Sequence, residues 1–146
     1  MKSKYQHIID ALPYTNPFLF VDTIEHISEE GVVGYYQFDK DSFFYKGHFK
    51  EHPVTPGVIL TECMAQIGLV CLGIFLLSEV NQSMENNQLA FSESEVQYLA
   101  TVLPGERVKV VSEKIYYRFG KLKCKVSMFN TEDVCVCKGV LSGLIQ

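Results

Sequence analysis

The sequence predicts an α+β fold in which one antiparallel sheet wraps a single long, buried helix. Three observations point there. The run after Gly57, VILTECMAQIGLVCLGIFLL, is apolar on nearly every side, and a helix without a polar stripe must be enclosed. Four strand-like segments follow it, and two more precede it. Strands in series around one helix, without βαβ alternation, make an α+β arrangement.

Residues 4–12 read as a short helix, stopped before Pro13. Residues 18–27 are apolar and β-prone, Glu29-Glu30-Gly31 makes a turn, and residues 32–38 form the next strand. The long helix starts after Pro56 and runs to about Ser78. Thr55 is placed to cap it, and Pro56 suits its first turn. Residues 79–88, EVNQSMENNQ, are a polar connection. Strands follow over residues 89–99 and 107–119, with Gly120 turning the second into residues 121–128. That third segment alternates strictly: Leu122, Cys124, Val126 and Met128 on one face, Lys121, Lys123, Lys125 and Ser127 on the other. Such alternation marks a half-buried strand. Residues 130–133 turn the chain, and residues 134–144 close the sheet. The helix is apolar on more faces than one curved sheet covers, so a dimer is expected.

A chain of 146 residues is one domain by its length, able to bury roughly 70% of its unfolded surface. Net charge is −4, which excludes a basic nucleic-acid footprint. The longest apolar run, residues 67–77, has 11 members. That is short of the ~18 that span a bilayer, and it suits a core helix. The basic start MKSK is not followed by an apolar segment, because Gln6, His7 and Asp10 interrupt it, so no secretory signal is read there. The five cysteines, Cys63, Cys71, Cys124, Cys135 and Cys137, are expected to be reduced, buried and cytoplasmic.

The chemistry concentrates in residues 46–66, KGHFKEHPVTPGVILTECMAQ. Glu62 needs explaining, because a carboxylate in an apolar helix is costly unless paired, bonded or protonated. It either reaches solvent near the helix start, helped by the helix dipole, or faces a pocket with a tuned acidity. His48 is either an ordinary loop histidine or a catalytic base. His48 and His52 share a metal-ligand spacing of four, but Pro53 pushes His52 out of the helical region, so no metal pair is assigned. Gly57 sits at the helix start, where free N–H groups can meet a developing oxyanion. A base, an oxyanion donor and an acid together fit proton abstraction beside a carbonyl and loss of a leaving group.

Three segments carry a resemblance: LPYTNPFLFVD (12–22), GHFKEHPVTPGVILTECMAQ (47–66) and LPGE (103–106). Over about residues 10–144 the chain resembles the FabZ-like β-hydroxyacyl-acyl-carrier-protein dehydratases of the hot-dog fold. The resemblance implies a single hot-dog domain with its active site at a dimer interface, His48 of one subunit facing Glu62 of the other. The subunits would form a homodimer or a trimer of such dimers. The substrate it implies is a (3R)-3-hydroxyacyl thioester on acyl carrier protein, and the product a trans-2-enoyl thioester. His48 would take the α-proton, the Gly57 N–H would hold the thioester oxygen, and Glu62 would protonate the departing hydroxyl. No metal or redox cofactor is implied. Val58, Phe49 and Phe91 are candidates to line an acyl tunnel.

The chain also departs from the family pattern. Lys50-Glu51 replaces the Pro-Gly after GHF, and Tyr14-Thr15 replaces a His and a basic residue. Residues 95–100, EVQYLA, stand where Lys and Arg usually attract the acidic carrier. Lys46 and Lys50 beside His48 are candidates to replace that patch. A specialised pathway making a polyene or pigment chain fits these departures by analogy. Two alternatives stay open: a thioesterase using Glu62 to activate water, and a non-catalytic acyl-binding subunit paired with an active homologue.

Overall fold

The computed structural model describes residues 4–82 and 89–145. Of the polar connection expected over 79–88, residues 83–88 lie outside the described residues. The chain opens with α1 (Gln6–Asp10), then β1 (Thr23–Ser28) and β2 (Gly31–Gln37). A single 3-10 turn covers Phe43–Lys46. The central helix follows as α2 (Gly57–Ala65), a π-helical stretch (Gln66–Cys71) and α3 (Leu72–Glu79). It is succeeded by β3 (Leu89–Tyr98), β4 (Arg107–Arg118), β5 (Lys121–Phe129) and β6 (Cys135–Ile145). All strands pair antiparallel in one sheet ordered β1-β2-β4-β5-β6-β3. The expected sheet around one helix is what the structure shows.

Sheet and helix meet through the alternation read in β5. Leu122, Cys124, Val126 and Met128 are fully buried, in one core with Met64, Ile67, Leu69 and Leu72 of the central helix. Burying each such side chain stabilises by roughly 1.5–3 kcal/mol. Contact is close at Gly68. A Cβ there would come within 3.1 Å of the Val126 methyls and 3.2 Å of the Ser112 Cβ. The Gly68 carbonyl accepts a hydrogen bond from the buried Ser112 hydroxyl at 3.0 Å. The helix spans 23 residues, long and apolar enough to cross a membrane by length and composition alone. However, 72% of its apolar window is buried inside this fold, which marks it as a core helix.

The structure corrects three local expectations. Thr55 does not cap the helix. Pro56 holds the N-cap position with extended backbone and no side-chain cap, while the buried Thr55 hydroxyl bonds Tyr45 Oη at 2.6 Å. Residues 18–22 are not strand: the Phe18 carbonyl and the Phe20 N–H are taken by a side chain of the central helix, described below. Not every cysteine is buried. The β5–β6 register shifts between Met128 and Phe129, pairing them with Cys137 and Cys135. Val136 is therefore an extra residue in a bulge, and Cys135 is turned to a half-buried position. All five thiols are free.

β3 forms one edge of the sheet and is exposed along almost its whole length. Its far end, near Tyr98, lies beside the start of the central helix.

Candidate active site

The site grows out of the loop that feeds the helix. His48 N–H donates to the Phe44 carbonyl, and the Val54 N–H donates back to the His48 carbonyl at 2.9 Å. Thr55 N–H is anchored on Val102 in the strand approach at 2.8 Å. The His48 ring then bonds the Val54 carbonyl through Nδ1 at 2.9 Å. A carbonyl can only accept, so Nδ1 carries the hydrogen. In neutral His48 this leaves Nε2 as a free lone pair, the tautomer a base requires. The Phe49 ring stacks on the imidazole at 3.9 Å between centroids. His52 is exposed, and its carbonyl accepts from the Phe49 N–H.

Gly57 opens α2. The Pro56 carbonyl receives the N–H groups of Ile59 and Leu60. The first N–H groups of any helix have no intrahelical acceptor, and the dipole there favours negative charge. One turn later stands Glu62, half-buried, with Oε2 accepting from Gln66 Nε2 at 3.0 Å. Burial raises the Glu62 pKa above its ordinary value, and the Gln66 bond pulls it back down. Burial is the larger influence, which favours the protonated carboxyl that an acid needs.

Two residues of this site escape a reading of the sequence. Gln66 is completely buried. Its Oε1 accepts from the Phe20 N–H at 2.7 Å, and its Nε2 donates to the Phe18 carbonyl at 3.0 Å as well as to Glu62. It therefore ties the 18–20 segment to the acid. Its signal was present: a lone amide inside an apolar helix needs partners as much as a lone carboxylate does. Tyr14 is the second. Its pKa is pushed up to about 12, first by burial, then by the Glu62 charge and by Cys71, so a neutral phenol stands near the carboxylate.

His48 bonds Val54 and Glu62 bonds Gln66, and among the described residues no hydrogen bond joins the two. Val58, Phe49 and Phe91 are 75%, 56% and 46% exposed, so they line no closed tunnel in the single chain. A cavity of about 650 Å³ lies elsewhere, bordered by Asn16, Asp22, Tyr36 and Phe43.

Similarity to known proteins shows the family. The FabA-like domain family matches residues 12–138. The 3-hydroxyacyl-[acyl-carrier-protein] dehydratase FabZ of Clostridium perfringens is 34% identical over 125 residues, covering 82% of this chain and 85% of that protein. FabZ of Bacillus licheniformis is 32% identical over 134 residues, covering 89% and 88%. Among solved structures, the dehydratase heterocomplex ApeI:P from Xenorhabdus doucetiae superposes with a TM-score of 0.80 at 13% identity, over 94% of this chain and 90% of that one. A hypothetical thioesterase protein with coenzyme A from Streptococcus pneumoniae TIGR4 superposes at 0.60 and 13% identity, over 85% and 87%. Those two likenesses concern the hot-dog fold alone. A match across most of the chain, with relatives above 30% identity over four-fifths of it, places the chain in the FabA-like family.

Proposed function

We infer that the chain dehydrates 3-hydroxyacyl thioesters on acyl carrier protein to trans-2-enoyl thioesters, in fatty-acid or polyketide-like synthesis. The observation that carries this reading is the His48 tautomer, with Glu62 as its acid counterpart. The Nδ1 bond to Val54 leaves Nε2 as the bare nitrogen of a neutral ring, while burial raises the Glu62 pKa. Groups whose environments set them to opposite tasks are the mark of acid–base chemistry.

His48 Nε2 takes the α-proton as the thioester carbonyl gains negative charge, held at the Gly57 N–H. The electron pair from the broken C–H bond forms the C2–C3 double bond, and the C3–O bond breaks. Glu62 gives its proton to the departing hydroxyl, which leaves as water. His48 ends protonated and Glu62 ionised, and exchange with solvent resets both.

The site is completed across a homodimer. Support comes from the single chain, in which no hydrogen bond among the described residues joins His48 to Glu62. The ten-residue edge of β3 adds to it, since an open edge of that length is a template for pairing with a second chain. Val58 and Phe91 then gain neighbours and border the acyl chain. Five free thiols fit a reducing cytoplasm.

The test is an absorbance assay for enoyl thioester on a short 3-hydroxyacyl thioester, with thiol release followed in parallel. Enoyl formation without thiol release is expected. Thiol release without enoyl would make the chain a thioesterase. Silence in both channels, with a carrier-bound substrate as well, would make it a binding subunit.

A further inference from the structure

Tyr98 lies at the end of β3, and the sequence reading gave it no role. A Cβ built on Gly57 would fall 3.0–3.3 Å from three atoms of the Tyr98 ring. The ring therefore rests directly on the Cα of the residue that opens the helix. Its hydroxyl is hydrogen-bonded to the Thr61 hydroxyl. Thr61 is four residues after Gly57, so both lie on one helix face, and the ring covers the first turn between them. The strand end is fixed too: the N–H groups of Leu99 and Ala100 both donate to the Val136 carbonyl. Glu62 is the next residue along the helix, beside the covered turn.

We propose that Tyr98, latched to Thr61, is a positioning residue that screens the Gly57 amide from bulk water. The inference rests on the dehydratase reading for its consequence in catalysis, although the screening itself is a property of the fold. Donors aimed at developing charge act most strongly where water is excluded. Tyr98 supplies that exclusion with its ring, and the hydroxyl pair keeps the ring in place. Tyr98→Phe and Thr61→Val each break the latch and leave the ring's bulk. Tyr98→Ala removes the screen.

The experiment has two readouts. Hydrogen exchange of the Gly57 and Val58 amides, followed by NMR, is expected to speed up at least tenfold in Tyr98→Ala and less in Tyr98→Phe, with β4 and β5 amides unchanged. In the enoyl assay kcat is expected to fall roughly 3–10-fold in Tyr98→Phe and in Thr61→Val, the worth of one hydrogen bond. KM is expected to stay nearly constant. The double variant should be no worse than either single, since both remove the same bond. Unchanged exchange in Tyr98→Ala overturns the proposal, and so do losses that multiply in the double variant. A wild type that makes no enoyl thioester yet shows the expected exchange pattern defeats the dehydratase reading and leaves the screen standing.

Discussion

Replacing Gln66 with Leu should unsettle both the core and the acid. Gln66 has no exposed surface and uses both ends of its amide. Leu is close in volume, so the repacking term is small, under about 1.5 kcal/mol. The main cost is the Phe20 N–H. It loses a 2.7 Å bond in a residue that is 1% exposed, and a buried donor left unpaired costs about 1–3 kcal/mol. The Phe18 carbonyl belongs to a residue 41% exposed, so water replaces that partner at little cost. The expected loss is therefore about 1–3 kcal/mol, a fall in Tm of roughly 2–12 °C for a chain of this size. Urea unfolding at fixed protein concentration should show it as a lower midpoint with unchanged slope. The substitution also removes the bond that holds the Glu62 pKa down. If Glu62 is the acid, the alkaline limb of its pH–rate profile should move to higher pH. Stability within 0.5 kcal/mol of wild type, together with an unmoved limb, would refute the reasoning.

Three further outcomes are expected. His48→Ala should remove enoyl formation while leaving the unfolding midpoint near wild type, because the imidazole bonds a loop carbonyl and stacks on the exposed Phe49 ring; an active variant would sink the base role. Glu62→Gln should abolish turnover, and it should change how stability depends on pH. The raised pKa means the folded state holds its proton more tightly than the unfolded chain. That stabilisation is complete below the ordinary value of 4.5 and is lost as pH rises through the higher folded value. Wild type should thus lose stability relative to Glu62→Gln as pH climbs from about 4.5, and parallel curves would count against a raised pKa. Gly139→Ala should split the edge of the sheet, because its Cβ would collide with the Glu95 carbonyl oxygen of β3. Loss of the dimer by size-exclusion chromatography is the expected result, and an intact dimer would argue against assembly through β3.

Much of the architecture was legible because its signals are local. The alternation over residues 121–128 and the apolar run after Gly57 each report one element's surroundings without reference to any other. Misreadings occurred where a distant partner decides. The Phe18–Phe20 backbone is held by Gln66, 46 and 48 residues away, so β-prone residues there are not strand. Thr55 has the chemistry of a helix cap, yet Tyr45 claims its hydroxyl. Cys135 and Cys137 would share a strand face but for the bulge at Val136. The π-helical stretch from Gln66 to Cys71 leaves no mark in an apolar pattern. For the candidate site, Glu62 stood out as a type that conflicts with its surroundings, and His48 and Gly57 by their place at the entry to the helix. Gln66 carried a similar signal as a lone amide in an apolar helix, whereas Tyr14 and Tyr98 are ordinary in type and only their placement brings them beside Glu62 and Gly57.

The measurement that tests the central claim most directly uses two inactive variants together. His48→Ala and Glu62→Gln are purified, mixed in equal amounts, dissociated and allowed to reassociate, and enoyl thioester is followed by absorbance. A site shared across a two-fold axis gives each mixed dimer one intact His48–Glu62 pair. Each variant alone should be silent, and the mixture should recover roughly a quarter of wild-type activity. A mixture as silent as its parts, with mixed dimers demonstrated, would contradict the shared dehydratase site.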